Sequence, residues 1–191
     1  MAKGTETGTQ ASQAGSSTLL EVFDATPLVG LKTIVRNGAT EWVDEDGEAT
    51  IEIPKVQELK ATAAIKRCLM PLKLRGCEMK AMRKIMKMTL KQLAGKMDGR
   101  TAPETIARWE SESQPIGGYA EKVFRLLACE TLAKDAPGIE YHASMIAYLK
   151  VLDPCRMSDQ DYEVPPIELE LVRLKELSGT IIEAWDAKMA A

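Results

Sequence analysis

Histidine is almost missing from this chain, and that shortage excludes whole classes of chemistry. Among 191 residues only His142 is present, so multi-histidine zinc sites and HExxH metal chemistry lack their ligands. Cysteine is sparse too. Cys68, Cys77, Cys129 and Cys155 include no pair two or three residues apart, which excludes zinc-ribbon spacing and gives no disulfide framework. They read as reduced, mostly buried thiols. A Cys–His nucleophile pair is formally available, but no local signature accompanies it. No apolar run approaches the ~20 residues of a membrane span, and MAKGTETGTQASQAGSS lacks the apolar core of a signal peptide. The expectation is a soluble, cytoplasmic protein with no membrane contact. No convergent acid–base group, phosphate loop or metal set stands out, so a non-enzymatic protein without cofactor or metal is expected.

What is present is ordinary in bulk and uneven in arrangement. Hydrophobic residues make up 45% and charged residues 28%, enough for one domain of usual size or two small ones. The net charge of −3 hides a strong asymmetry. Residues 1–65 carry 5 Lys+Arg against 10 Asp+Glu, residues 66–110 carry 12 against 4, and residues 111–191 carry 8 against 14. A basic block between two acidic ones fits a polyanion-binding surface. It equally fits a solvated, Lys-rich helical face, and charge alone does not choose.

The pattern along the chain predicts a mainly α fold. Residues 1–18 read as a disordered tail of Gly, Ser, Thr, Ala and Gln. Asn37-Gly38 and Asp46-Gly47 are turn signals separating β-prone runs at 31–36, 39–43 and 48–53, a small N-terminal antiparallel β-meander ended by Pro54. Residues 55–70 place Val56, Leu59, Ala63 and Ile65 near one helical face, and Pro71 stops that helix. In 77–87 a stripe of Met79, Met82, Ile85 and Met86 reads as core packing. Short helices follow at 90–97 and about 102–111, joined by a turn at Asp98-Gly99-Arg100. A periodic helix over 119–134 is broken at Pro137-Gly138. Residues 143–151 and 166–186 read as additional C-terminal helices, split by a polar, Pro-rich connection from 153 to 166. The implied division is a tail (1–18), meander and linking helix (19–70), a helix-turn-helix domain (71–135) and a C-terminal helical extension (136–191).

Two short helices joined by a turn, inside the basic block, are what a helix-turn-helix requires: one braces on phosphates while the next offers side chains to base edges. Thr101-Ala-Pro-Glu104 has capping-box spacing, and Pro103 sits early, where its missing N–H costs nothing. Thr105 and Arg108 then share a face one turn apart, while Ile106 and Trp109 suit the core. Thr105 suits a thymine methyl or a phosphate, and Arg108 a guanine or a phosphate.

The stretch 82–128, MRKIMKMTLKQLAGKMDGRTAPETIARWESESQPIGGYAEKVFRLLA, resembles the Cro/phage-repressor (Xre-like) helix-turn-helix family. Met82-Arg83-Lys84, Leu93-Ala94, Arg108-Trp109-Glu110 and Pro115-Ile116 carry the likeness, which is nearest to MqsA/HigA-type antitoxins and their stand-alone regulator relatives. Residues 28–78 resemble that arrangement more loosely. The resemblance implies that Arg83 and Glu110 pair to tie the first helix to the recognition helix. It also implies that Trp109 anchors the recognition helix and that Glu104, Thr105 and Arg108 face double-stranded DNA. Two departures matter. Leu90 stands where the family usually has a phosphate-contacting Gln, so that contact is lost or passes to Lys91 or Gln92. The span from Leu93 to Trp109 is about two residues longer than usual, which enlarges the turn and makes Arg100, with Thr101, a candidate DNA contact. The cysteine-based zinc module found ahead of some relatives is missing, so the N-terminal strands have to fold without metal.

Lys80, Lys84, Lys87, Lys91 and Lys96 flank the motif, and each would release a counterion on binding DNA. One such domain reads few base pairs, so a homodimer on a short inverted repeat is expected. Leu126, Leu127, Leu149, Leu152, Leu169, Leu171, Leu174 and Leu177 are the natural dimer or partner surface, unless they close the monomer's own core. The expected function is a sequence-specific transcriptional regulator, a repressor. The alternative is an antitoxin or interaction protein that neutralises a protein partner and autoregulates its operon.

Overall fold

Trp185, fully buried near the C-terminal end of the chain, is the point where sheet and helices meet. Its indole N–H donates to the carbonyl of Pro54 at 3.2 Å, and its backbone N–H donates to Glu58 Oε1 at 2.8 Å. The computed structural model describes residues 16–97, 99–150, 164–175 and 181–187. In order these form β1 (Ser16–Asp24), α1 (Thr26–Val29), β2 (Thr33–Val43), β3 (Ala49–Glu52), α2 (Val56–Leu69) and α3 (Gly76–Ile85). They continue as α4 (Leu90–Met97), α5 (Pro103–Glu110), α6 (Gly118–Leu132), α7 (Ala143–Ala147), β4 (Ile167–Lys175) and β5 (Ile181–Asp186).

The fold is mixed α/β, which corrects the mainly α expectation. Five strands form one mixed sheet with β2 at its centre. Along one edge β2 runs antiparallel to β1, from Ser16 opposite Val43 to Asp24 opposite Ile34. The other edge is shared. Residues Thr33–Arg36 pair in parallel with Ile167–Glu170 of β4, and Thr40–Val43 pair antiparallel with β3. Strand β5 completes the sheet antiparallel to β4.

The expected C-terminal helix over 166–186 is therefore a strand pair. IELEL alternates strictly. Ile167 and Leu169 are buried and Glu168 is exposed, the period of two that a half-buried strand needs. Leu169 is core, and Leu126, Leu127 and Leu171 pack against the same core. All four contribute to the monomer's own core. Leu149 is half-buried, while Leu152, Leu177 and the side chain of Leu174 lie outside the described residues.

The N-terminal region also departs from expectation. Residues 16–18, assigned to a tail, are paired in β1, and residues 1–15 lie outside the described residues. Asn37-Gly38 is not a hairpin turn but an irregularity inside β2. Asn37 takes φ +53°, and Asn37 with Gly38 opposes only Glu21 of β1, so the strand bulges. Gly38 is required there: an added Cβ would sit 2.2 Å from the Trp185 ring. Asp46-Gly47 does turn the chain, with Gly47 at φ +83° and Asp44 Oδ1 accepting from the N–H groups of Asp46 (3.0 Å) and Glu48 (2.8 Å).

Helix α2 lies between the sheet and the other helices, touching α6 on one side and β4 and β5 on the other. Small side chains explain how it fits. Ala61, Thr62, Ala63, Ala64 and Ile65 are all buried, so the middle of the helix is enclosed on every side by residues small enough to allow close approach. One continuous core joins Val35, Ile167 and Trp185 of the sheet to Met79, Leu93, Ile106 and Phe124 of the helices. Among the described residues no helix is long and apolar enough to cross a membrane. The connection from 151 to 163 lies outside the described residues.

Candidate nucleic-acid interface

The frame beneath the α4–α5 pair is built from two buried arginines. Arg67, at the end of α2, donates to both carboxylate oxygens of Glu78 (2.6 and 2.7 Å) and to the carbonyls of Leu72 and Lys73. Arg125 on α6 donates to the carbonyls of Cys68 (2.6 Å), Met70 (2.9 Å) and Leu72, and pairs with Glu121. Glu121 Oε1 also accepts from the N–H of Leu74 at 3.0 Å. Last-turn carbonyls and a loop backbone that a helix end leaves unpaired are thus satisfied in the interior. The α2–α3 connection is held from both sides.

Helix α3 is then joined to the end of α5. Gly76 has no room for a side chain, since a Cβ would lie 2.3 Å from the carbonyl oxygen of Trp109. Its N–H donates to Glu112 Oε1 at 3.0 Å, and Arg75 pairs with the same carboxylate at 3.5 Å. One face further on, Arg83 binds Glu110 with both arms of its guanidinium (2.6 and 2.8 Å) and donates to the carbonyl of Met88 at 2.9 Å. The hydrogen bonds to Glu110 raise the Arg83 pKa above its ordinary value. With side chains 14% and 7% exposed, this pair is largely desolvated rather than a surface ion pair. Trp109 is buried beneath it, with Ile106, Leu93 and Ala94.

The ends of these helices are set by local chemistry. Helix α3 finishes in a Schellman arrangement, with Met88 N–H donating to the Arg83 carbonyl (3.1 Å) and Lys87 N–H to that of Lys84 (3.0 Å). Lys87 occupies the left-handed position at φ +57°, where glycine is usual. Helix α4 opens with a capping box that the sequence reading missed. Thr89 Oγ1 accepts from Gln92 N–H at 3.2 Å, and Gln92 Oε1 accepts from Thr89 N–H at 2.9 Å. The expected box at Thr101 and Glu104 does not form. Helix α5 starts one residue later than that box requires, with Ala102 as its N-cap, no side-chain cap bond, and Pro103 in the first turn. Glu104 then lies in the first turn, where the helix dipole favours a carboxylate.

The structure places the predicted contact residues as follows. Lys91 and Gln92 are exposed in the first turn of α4, with the Gln92 carbonyl oxygen committed to the cap. Glu104 and Arg108 are exposed on α5, and Thr105 is half-buried between them. Arg100 is exposed in the connecting turn beside Gly99, at φ +67°, and Thr101 is half-buried. Helices α4 and α5 pack on each other, so these side chains share one rigid unit. Arg67, Arg125 and Gly76 went unread in the sequence. A Thr-x-x-Gln at 89–92 was the available signal for the true capping box. Among the described residues no three His, Cys, Asp or Glu side chains converge to hold a metal ion.

Comparison with known proteins adds no relative: no family model matches the chain, and neither do the curated proteins or the solved structures.

Proposed function

We propose that the chain is a sequence-specific DNA-binding transcriptional regulator, a repressor that acts as a dimer on a short inverted repeat. In this reading α5 enters the major groove, Arg108 and Thr105 meet base edges or phosphates, and Lys91 with Gln92 braces on the backbone. The observation that carries it is the Arg83–Glu110 clamp. It fixes α5 to α3 by two short charge-assisted hydrogen bonds, while Glu104 and Arg108 of the same helix stay exposed. A helix that reads bases needs that combination of rigid back and free front. The likeness of 82–128 to Xre-like regulators supports the same assignment.

A second reading, a chain that grips a partner protein as an antitoxin does, is favoured by one observation. The β1–β3 arm leaves Leu19 and Trp42 exposed on one face and Val22 and Ile51 on the other, apolar side chains that a protein partner would cover. Selection of duplexes from a random pool by the purified protein tests the first reading. A consensus enriched by wild type and lost in Arg108→Ala supports it. Enrichment of no consensus contradicts it and favours the second.

A further inference from the structure

A groove of about 500 Å³ runs between α1, α2 and α3, and none of the base-reading residues assigned above lines it. Lys60, Lys80, Lys84 and Lys87 line it, and no Asp or Glu does. Among the described residues none of the four lysines is in an ion pair. Lys80, Lys84 and Lys87 are exposed. Four cations outside any ion pair thus gather beside the apolar wall of Leu28, Val29 and Ala81, a positive potential that attracts an anion.

Lys87 supplies an independent sign. It is the left-handed residue of the α3 cap, a position at which every side chain except glycine is strained. The chain carries a lysine there nonetheless, and its side chain lines the groove. The groove ends at this turn, three residues before Leu90 opens α4.

We infer that this groove holds phosphates of the DNA duplex outside the segment read by α5, so that the protein grips the backbone along α3 as well as at α4. The inference rests on the DNA-binding reading and extends it. The observations favour a phosphate backbone over a compact anionic ligand. Lys80 and Lys84 are strung along α3 with Lys87 just beyond it, and the lining lacks an aromatic face on which a base could stack. Lys80 to Lys87 spans about 10 Å at ~1.5 Å per residue, the axial length of about three phosphates on one strand.

The test is the salt dependence of full-length protein binding to a mixed-sequence duplex, followed by fluorescence anisotropy. Lys80→Gln/Lys84→Gln lowers the magnitude of the log K against log salt slope by about 1.8, and Lys87→Gly by about 0.9. If all curves meet near 1 M salt, the double variant binds about 60-fold more weakly at about 0.1 M. Lys80→Arg/Lys84→Arg keeps the wild-type slope. Lys87→Gly relaxes the strained turn and melts at or above the wild-type temperature, so its loss of slope cannot come from misfolding. An unchanged slope in the Gln and Gly variants, with wild type still binding, overturns the groove assignment alone and leaves the lysines to an acidic protein surface. Failure of wild type to bind any duplex at low salt overturns the groove and the DNA reading together. A reduced slope without any sequence preference keeps the groove and removes the base-reading role of α5.

Discussion

Arg67 and Arg125 are fully buried, each ringed by carbonyls and a carboxylate, whereas Arg100 and Arg108 stand exposed on the turn and helix beside them. The same guanidinium stitches backbone in the interior, at Arg67 and Arg125, and faces solvent on α5, at Arg108. The lesson is that a charge count overstates a binding surface. Of the twelve Lys and Arg between 66 and 110, Arg67 and Arg83 are committed inside the protein, and Arg75 is paired with Glu112. What remains outward is concentrated on α3, α4 and α5.

The sharpest way to break this comparison is in the buried region. Arg67→Ala leaves the carboxylate of Glu78 buried without its partner and removes two donors to the 72–73 backbone, so the protein loses about 3–5 kcal/mol of stability. Urea unfolding measures this loss, which is a large share of a typical domain's total. An Arg67→Met/Glu78→Leu double variant recovers only part of it: the pair's desolvation cost disappears with its charges, but the Lys73 carbonyl and the Arg75 N–H lose their partners.

Arg83 sits between the two extremes. Glu110→Ala costs about 2–3 kcal/mol, less than the interior pair because Arg83 retains some access to solvent. In the same variant α5 loses its fixed orientation, and selective binding weakens even where the protein remains folded. The smallest stability effect belongs to the exposed face. Arg108→Ala changes unfolding free energy by no more than about 0.5 kcal/mol, while abolishing selection of a consensus duplex. Thermal melts and binding on the same samples separate the three behaviours.

What was legible in the sequence followed local chemistry. Residues 90–97 form α4 as read, and α2, α3, α5 and α6 fall within two residues of the expected ends, because apolar periodicity, Pro71 and Pro137-Gly138 act over one or two turns. The strand pair β4–β5 was not legible as a leucine count, although the alternation of Ile167, Glu168, Leu169 and Glu170 was on view. The partner that makes β4 a parallel strand is Thr33–Arg36, far away in sequence. Asn37-Gly38 carried a strong local turn signal, and a remote side chain overrode it: Trp185 occupies the space beside Gly38. Thr101 had the right neighbours for a capping box, but α5 begins at Pro103, and a one-residue shift places the hydroxyl out of register. At the candidate site, Arg108 is exposed between buried Ile106 and Trp109, as helical periodicity requires, whereas Thr101 and Thr105 are half-buried. The buried arginines were counted as charge because nothing local marks a guanidinium that will be met by carbonyls from another helix.

On the DNA-binding proposal, α4 and α5 form the DNA-facing surface over a frame that does not move. Hydrogen exchange of the full chain, with and without a duplex selected by the protein, addresses it most directly. Exchange is expected to slow at the first turns of α4 and α5, around 89–93 and 103–108, with the loop at 70–75 unchanged because its partners are internal. Protection confined to the β1–β3 arm, with α4 and α5 exchanging as in the free protein, would contradict it.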